Sequence, residues 1–337
     1  MNESNAELTY SLSEVFIGGI NLSISCEEYR GIAAAQKTLR ALNDVEDLFS
    51  LIALSYTEIE KLMLEALVDY NTGNATAHGH FEFGTYFDEL RTSLNLKLLT
   101  FLVAYTAFDH QLPQICPNIS ENGEQVYDNV KAAIRNEFDT SLSFRIACAL
   151  RNHAQHSKLP LYGTSIGQTN QWRGGNPTSD EPSRSRVTLN PYISSAELAA
   201  NKNIRPETRN QITSLNLENI DVKMLVRNFM QSIFNVQERF RELTNSQMTN
   251  ATKIIDQCYE TASKEKGNQA KFLSILFHSE GSETESINIS DEFPLTVLRK
   301  RKMWTGLKHV SRCYLSSEPI HNKNNYQGSD ELLWISK

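Results

Sequence analysis

A chain of 337 residues, 40% hydrophobic and 22% charged, is long enough for one large or two modest domains whose core needs no disulfide staples. The formal net charge of −7 excludes a protein that coats nucleic acid through its overall charge, so any RNA contact has to be concentrated in a local basic site. Cys26, Cys116, Cys148, Cys258 and Cys313 stand far apart without paired spacing, so neither a disulfide framework nor a zinc ribbon is expected, and a reducing, cytoplasmic setting is.

Residues 1–26 alternate loosely around Gly18-Gly19 and read as a short strand pair or an extended arm. They hold no apolar signal-like stretch, and no apolar run in the chain approaches about 18 residues, so neither secretion nor a membrane span is expected. From Glu27 the pattern turns helical. Ile32, Leu39, Leu42, Val45, Leu48, Phe49 and Ile52 recur at helical spacing, followed by Ile59, Leu62, Met63, Ala66 and Leu67. Three glycines between Asn71 and Gly84 break it. A second stripe runs from Phe83 through Phe87, Leu94, Phe101 and Tyr105 to Phe108, with Pro113 and Pro117 expected to end it. A third, from Val126 through Val130, Ile134, Phe138, Leu142 and Ile146 to Leu150, reads as one helix leading into the run Arg151-Asn152-His153-Ala154-Gln155-His156.

Some twenty polar residues, Gly163 to Arg186, then read as a mobile loop. A fourth long stripe spans Val222 to Leu243, and a shorter helix is expected over Ile254 to Ala262. Past Gly267 the texture changes, since Phe272 to Phe277 and Ser286 to Ile289 look like strands. The expected architecture is mainly α: an N-terminal arm (1–26), a helical bundle (27–265) carrying the polar loop 163–186, and a small α/β region (266–337).

The run at Arg151 combines residue types that can bind a phosphate and move a proton. On a helix, Asn152 and His156 share a face, while Arg151 lies roughly 140° from His156 and reaches the same space through its long side chain. His153 instead continues the Ile146-Ala149-Leu150 stripe and reads as a packed structural histidine. His156, at a helix C-terminus, feels the negative end of the macrodipole, which favours its protonated form. Arg151 would supply a fixed positive fork for a phosphate, and Asn152 would orient the phosphate or the imidazole. Cleavage of RNA by its own 2′-OH is best served by a base and an acid together. One copy offers one histidine, and two copies meeting as a homodimer would offer both.

The stretch Ser143 to Tyr162, and within it Arg151, Asn152 and His156, resembles the signature of the HEPN superfamily: an arginine, a polar residue directly after it, and a histidine four to six residues beyond the arginine. The resemblance implies a mostly four-helix bundle and a metal-independent endoribonuclease that dimerises to build a composite site and leaves a cyclic phosphate. Such proteins serve in bacterial toxin and antiviral defence systems, including abortive infection, and an antitoxin or another defence protein would be a partner. Members regulated by adenylylation carry a tyrosine two residues after the histidine; Lys158 stands there, and Tyr162 is out of place. Some relatives keep the bundle as a non-catalytic RNA-binding, nucleotide-binding or scaffold subunit, which is the rival reading.

A second candidate surface is the stretch Leu295 to Leu315, where Arg299, Lys300, Arg301, Lys302, Lys308 and Arg312 occur without an acid and are interleaved with Trp304 and Tyr314. As an RNA-binding face it would combine phosphate neutralisation with base stacking; its bland reading is a solvated basic helix face. His78-Gly79-His80 lacks a third ligand of clear spacing, and no metal or cofactor is expected. No nucleophile elbow occurs, and the loop around Gly174-Gly175 lacks the Lys-Ser/Thr ending of a phosphate-binding loop.

Overall fold

Helix α1 (Cys26–Asn71) begins at a reciprocal cap that the sequence Ser-Cys-Glu-Glu encodes: the Ser25 hydroxyl accepts from the Glu28 N–H at 3.1 Å, and the Glu28 carboxylate accepts from the Ser25 N–H at 2.7 Å. A computed structural model describes residues 9–16, 19–73, 83–156, 158–171, 184–278 and 285–312. After α1 come α2 (Phe83–Ile115), α3 (Gly123–Thr140), α4 (Leu142–His156), α5 (Ser195–Ala200), α6 (Pro206–Ser214), α7 (Val222–Leu243), α8 (Asn245–Lys266) and α9 (Glu292–Lys302), with shorter strands between or before them. The protein is mainly helical, and no helix among the described residues is long and apolar enough to cross a membrane.

Three helical boundaries differ from the sequence reading, and the shorter helix expected over Ile254 to Ala262 is the first of them: α8 runs from Asn245 to Lys266 and is as long as α7, its apolar stripe beginning already at Met248 and Ala251. Helix α2 passes through Pro113 and stops at Ile115, because a proline this close to a helix end removes one ladder hydrogen bond without breaking the turns before it. The stripe from Val126 to Leu150 is two helices, not one. Ser141 separates them, and its hydroxyl accepts from the Phe144 N–H at 3.2 Å to cap α4 afresh.

The chain forms two units: Met1–Leu48 with Phe108–Lys131 and Glu238–Met303, and Phe49–Ala107 with Ala132–Gln237 and Trp304–Lys337. In the first, strands β1 (Thr9–Glu14), β2 (Asn21–Ser23), β6 (Leu273–His278) and β7 (Glu285–Asn288) make an antiparallel sheet in the order β2-β1-β6-β7. Residues 1–26 thus contain the strand pair, in register at Leu12 and Leu22, and Leu12 also stands opposite Ile275. The strands expected after Gly267 therefore share one sheet with the N-terminal pair. Glu14 ties the sheet to the end of α8: its carboxylate accepts from Lys266 Nζ at 2.7 Å and from the Lys271 N–H at 2.9 Å, which holds its pKa below the usual carboxylate range. Gly267, at φ +76°, takes the left-handed conformation that ends α8.

In the same unit Glu46 of α1 grips Arg241 of α7 through two hydrogen bonds of 3.0 and 2.7 Å, and both side chains are buried. Arg301 joins them, donating to the Thr244 hydroxyl at 2.6 Å and lying 3.8 Å from the Glu46 carboxylate.

In the second unit, β3 (Gly163–Gln171), β4 (Arg184–Ser194) and β5 (Asn219–Asp221) form an antiparallel sheet in that order. This corrects the polar loop expected at 163–186. Residues 163–171 and 184–186 are strand, paired from Gly163 opposite Tyr192 to Gln171 opposite Arg184, while 172–183 lie outside the described residues. Backbone pairing does not need an apolar face, and strands this polar leave no alternation to read.

The helical core of this unit centres on Phe229 of α7. Phe101, Tyr105 and Phe144 meet its ring edge-on with centroids 5.0 to 5.6 Å away, which fixes the start of α4 against α2 and α7. Beside it lies a buried ionic cluster. Glu60 takes two hydrogen bonds from Arg227, at 2.6 and 2.8 Å, and one from the Tyr56 hydroxyl at 2.7 Å. Lys223, fully buried, donates to the Leu189 carbonyl at 2.8 Å and to Asn190 Oδ1 at 2.9 Å, with Asp221 at 3.8 Å. Burial pushes the Lys223 amine down and the Asp221 carboxyl and Tyr56 phenol up.

Candidate functional site

Helix α4 is fifteen residues long, with Phe144 and Leu150 buried, and the Arg151 run makes up its last turns. The segment after α4 is pinned at once. Asn95 of α2, itself buried, accepts from the Leu161 N–H at 2.9 Å, and the Tyr162 N–H then donates to the Tyr192 carbonyl as β3 begins. The chain leaving α4 is therefore fixed to α2 and to β4 within a few residues of the helix end.

The side chains of the run are not equivalent. His153 is 7% exposed, and its Nδ1 lies 2.6 Å from Asn201 Nδ2. The Asn201 carbonyl oxygen is engaged by the Asn203 N–H at 2.9 Å, so its amide nitrogen faces the ring and donates to it. His153 Nδ1 is therefore an acceptor, and the imidazole is neutral with its proton on Nε2. Burial also depresses the His153 pKa, against an opposing pull from Glu197. The structural reading of His153 holds, and it joins α4 to the end of α5.

Arg151 and Asn152, the two residues before this anchor, are half-buried. The buried Nε of Arg151 has no hydrogen-bond partner among the described residues. An unpartnered guanidinium nitrogen is shared by Arg209 and Arg301; what sets Arg151 apart from Arg227 and Arg241, each forked onto a buried glutamate, is that no carboxylate pairs with it among the described residues, while Arg145 in the first turn of α4 donates to the Phe138 and Asp139 carbonyls at 2.6 and 2.7 Å. His156 is the last residue of α4. Lys158, just beyond, pairs with Glu197 at 3.3 Å as an exposed ion pair, worth at most about 1 kcal/mol.

No family model, curated protein or solved structure matches this chain. What the site can do therefore rests on its own residues.

The basic stretch toward the C-terminus is divided by the fold. Arg301 is turned inward to Glu46 and Thr244, and Lys300 donates to Asn43 at 2.6 Å and to Asp47 at 2.5 Å. Their charges are committed to acids and a hydroxyl within the protein, which the bare spacing of cations did not reveal. Arg299 and Lys302 are exposed in the first unit. In the second, Trp304 is half-buried with its indole N–H 3.3 Å from the Ser50 hydroxyl. Lys308 and Arg312 line a polar cleft of 420 Å³ with His309, Asn228, Gln231, Asn235 and one acid, Glu137, whose carboxylate accepts from Asn235 at 3.0 Å, beside Ser141 at the start of α4. The three-residue strand β5, Asn201 and this cleft gave no sequence signal, since each depends on partners far along the chain. Among the described residues no group of three or more His, Cys, Asp or Glu is placed to hold a metal ion; His78, His80 and Tyr314 lie outside the described residues.

Proposed function

We propose that the protein is a metal-independent endoribonuclease of HEPN type, acting in the cytoplasm as a homodimer whose two α4 ends complete one site. The observation that carries this reading is the sorting of side chains at the end of α4. His153 is neutral and committed to Asn201, whereas Arg151, with no acid partner among the described residues, keeps a buried Nε without an acceptor there, next to Asn152 and on the helix that ends at His156. An arginine held without an acid is suited to a phosphodiester, whose oxygens it would fork.

In the reaction, His156 of one copy takes the proton from a ribose 2′-OH as its oxygen attacks the adjacent phosphorus. The bond to the 5′-oxygen breaks, and His156 of the second copy gives that oxygen a proton. Arg151 stabilises the charge that builds on the non-bridging oxygens, and Asn152 orients the phosphate or the imidazole. The products are a 2′,3′-cyclic phosphate and a free 5′-OH. A role in toxin or anti-phage defence, with a neutralising protein partner, accords with an activity that would harm its own cell.

The test is incubation of the purified protein with total cellular RNA in EDTA, beside Arg151→Ala and His156→Ala variants. New ends bearing cyclic phosphate, lost in both variants and indifferent to EDTA, are expected. Equal cleavage by parent and variants would sink the assignment. A second reading is favoured by the polar cleft, where Lys308 and Arg312 stand with His309 and three amide side chains: a subunit that binds RNA or a nucleotide without cutting it. It predicts salt-sensitive RNA binding that Lys308→Ala and Arg312→Ala weaken, with no new ends.

A further inference from the structure

In the first unit, one end of the four-stranded sheet opens on a cavity of 660 Å³ that belongs to none of the chemistry above. Its volume falls within the range of about 300–1,000 Å³ usual for small-molecule sites. Phe16, just after β1, and Phe272, just before β6, form its mouth. Their rings stand edge to face at 5.3 Å, and they are 55% and 63% exposed. Phe272 sits at φ +50°, a conformation that a bulky residue adopts only when its surroundings impose it. Val15, Leu273, Ile289 and Phe293 complete an apolar lining.

Two polar groups of α1 also face the cavity, four residues apart and so on one side of the helix: Gln36 and Arg40. Gln36 is 5% exposed, yet its buried Oε1 has no hydrogen-bond partner among the described residues. A buried amide oxygen left in this state costs about 1–3 kcal/mol unless something donates to it. Arg40 is exposed at the rim; its field reaches Asp44, but no ion pair joins them. With the exposed Asn288 and Ser290 also on the lining, a largely apolar cavity with one unfilled acceptor in its wall and one cation at its edge defines a ligand by complementarity.

We infer that this cavity binds a small apolar acid bearing an N–H or O–H donor close to its carboxylate, as in an N-acyl amino acid. The apolar body lies among Phe16, Phe272, Leu273, Ile289 and Phe293, the donor meets Gln36 Oε1, and the carboxylate meets Arg40. None of these residues takes part in the nuclease chemistry, which lies in the other unit, so the cavity keeps its ligand whether or not the protein cuts RNA.

The test is calorimetric titration of the full-length protein with three matched probes below their micellar concentrations. N-octanoylglycine carries both features, its methyl ester lacks the charge, and octanoyloxyacetate replaces the N–H by an ester oxygen. Saturable one-site binding is expected for N-octanoylglycine, about tenfold weaker for each control. Arg40→Gln, an exposed and fold-neutral change, should erase the gap between acid and methyl ester while leaving RNA cleavage unaltered. Gln36→Leu should erase the gap between amide and ester linkages; should that variant fail to fold, the two linkages compared on the parent protein carry the same information. Binding that does not saturate, or that ignores both the charge and Arg40, would overturn the proposal.

Discussion

Arg227 inside α7 and Arg151 at the end of α4 belong to the same unit but live under opposite rules. Arg227 is fully buried, and its guanidinium is forked onto Glu60, which Tyr56 also supports. Arg151 is half-buried, and no carboxylate pairs with it among the described residues. Taking a charge out of water is costly, so where the fold hides a cation it supplies an anion within hydrogen-bonding distance. Where it leaves a cation without one, the missing anion is a candidate for a substrate. Stability and activity should therefore separate cleanly between these two arginines.

The largest effect should come at the α4 end. Arg151→Ala or His156→Ala should lower RNA cleavage by about 10²- to 10⁴-fold, read as initial rates on a defined oligonucleotide, with little change in the melting temperature. A fall in melting temperature matching the loss of activity would erase the contrast. Next, Glu60→Ala should destabilise by about 3–5 kcal/mol, read from urea denaturation, because it strands Arg227 without a counter-ion. The double replacement Glu60→Met with Arg227→Met should recover most of that loss, which would show the cost to be that of an orphaned charge rather than of lost packing.

A smaller effect is expected at Asn95, whose replacement by Ala leaves the Leu161 N–H unpaired and should cost about 1–3 kcal/mol, with faster amide exchange at Leu161. The smallest concerns pH. The folded pKa of His153 lies below its usual 6.5, so the unfolded chain takes up the proton first, and stability should be level above that pH and decline as pH falls beneath it. Glu14, also depressed, adds a second decline below its usual 4.5. His153→Gln should remove the first slope and leave the second, in melting curves taken across pH.

The long helices were legible because their apolar faces recur every three or four residues over many turns, as from Val222 to Leu243 or from Ile32 to Ala66. The motif at Arg151 was legible for a related reason: its members are neighbours in sequence, and the preceding stripe already set His153 apart from His156. What escaped was non-local or locally ambiguous. Strand β1 pairs with β6 across more than 250 residues, and the hairpin of β3 and β4 is so polar that its pairing leaves no trace in side-chain pattern. Ser141 looked like one polar residue within a stripe, yet a single hydroxyl there starts a new helix. Arg301 looked like part of a solvated basic face, and only Glu46, far away in the chain, shows why it turns inward.

The two glutamate–arginine forks carry one further consequence. Glu46 and Glu60 are fourteen residues apart in α1, and Arg241 and Arg227 are fourteen apart in α7 in the reverse order. Within each unit one fork fixes one point at which the local stretches of α1 and α7 meet, Glu46 on Arg241 in the first and Glu60 on Arg227 in the second. Apolar side chains tolerate a slip by one helical turn, since leucine against phenylalanine is nearly as good as leucine against leucine. A fork does not, because every alternative alignment would bury a carboxylate and a guanidinium apart from each other. The pairs act as teeth on a ratchet: they add little to how strongly the helices adhere, and they decide which of several nearly equal alignments the chain keeps.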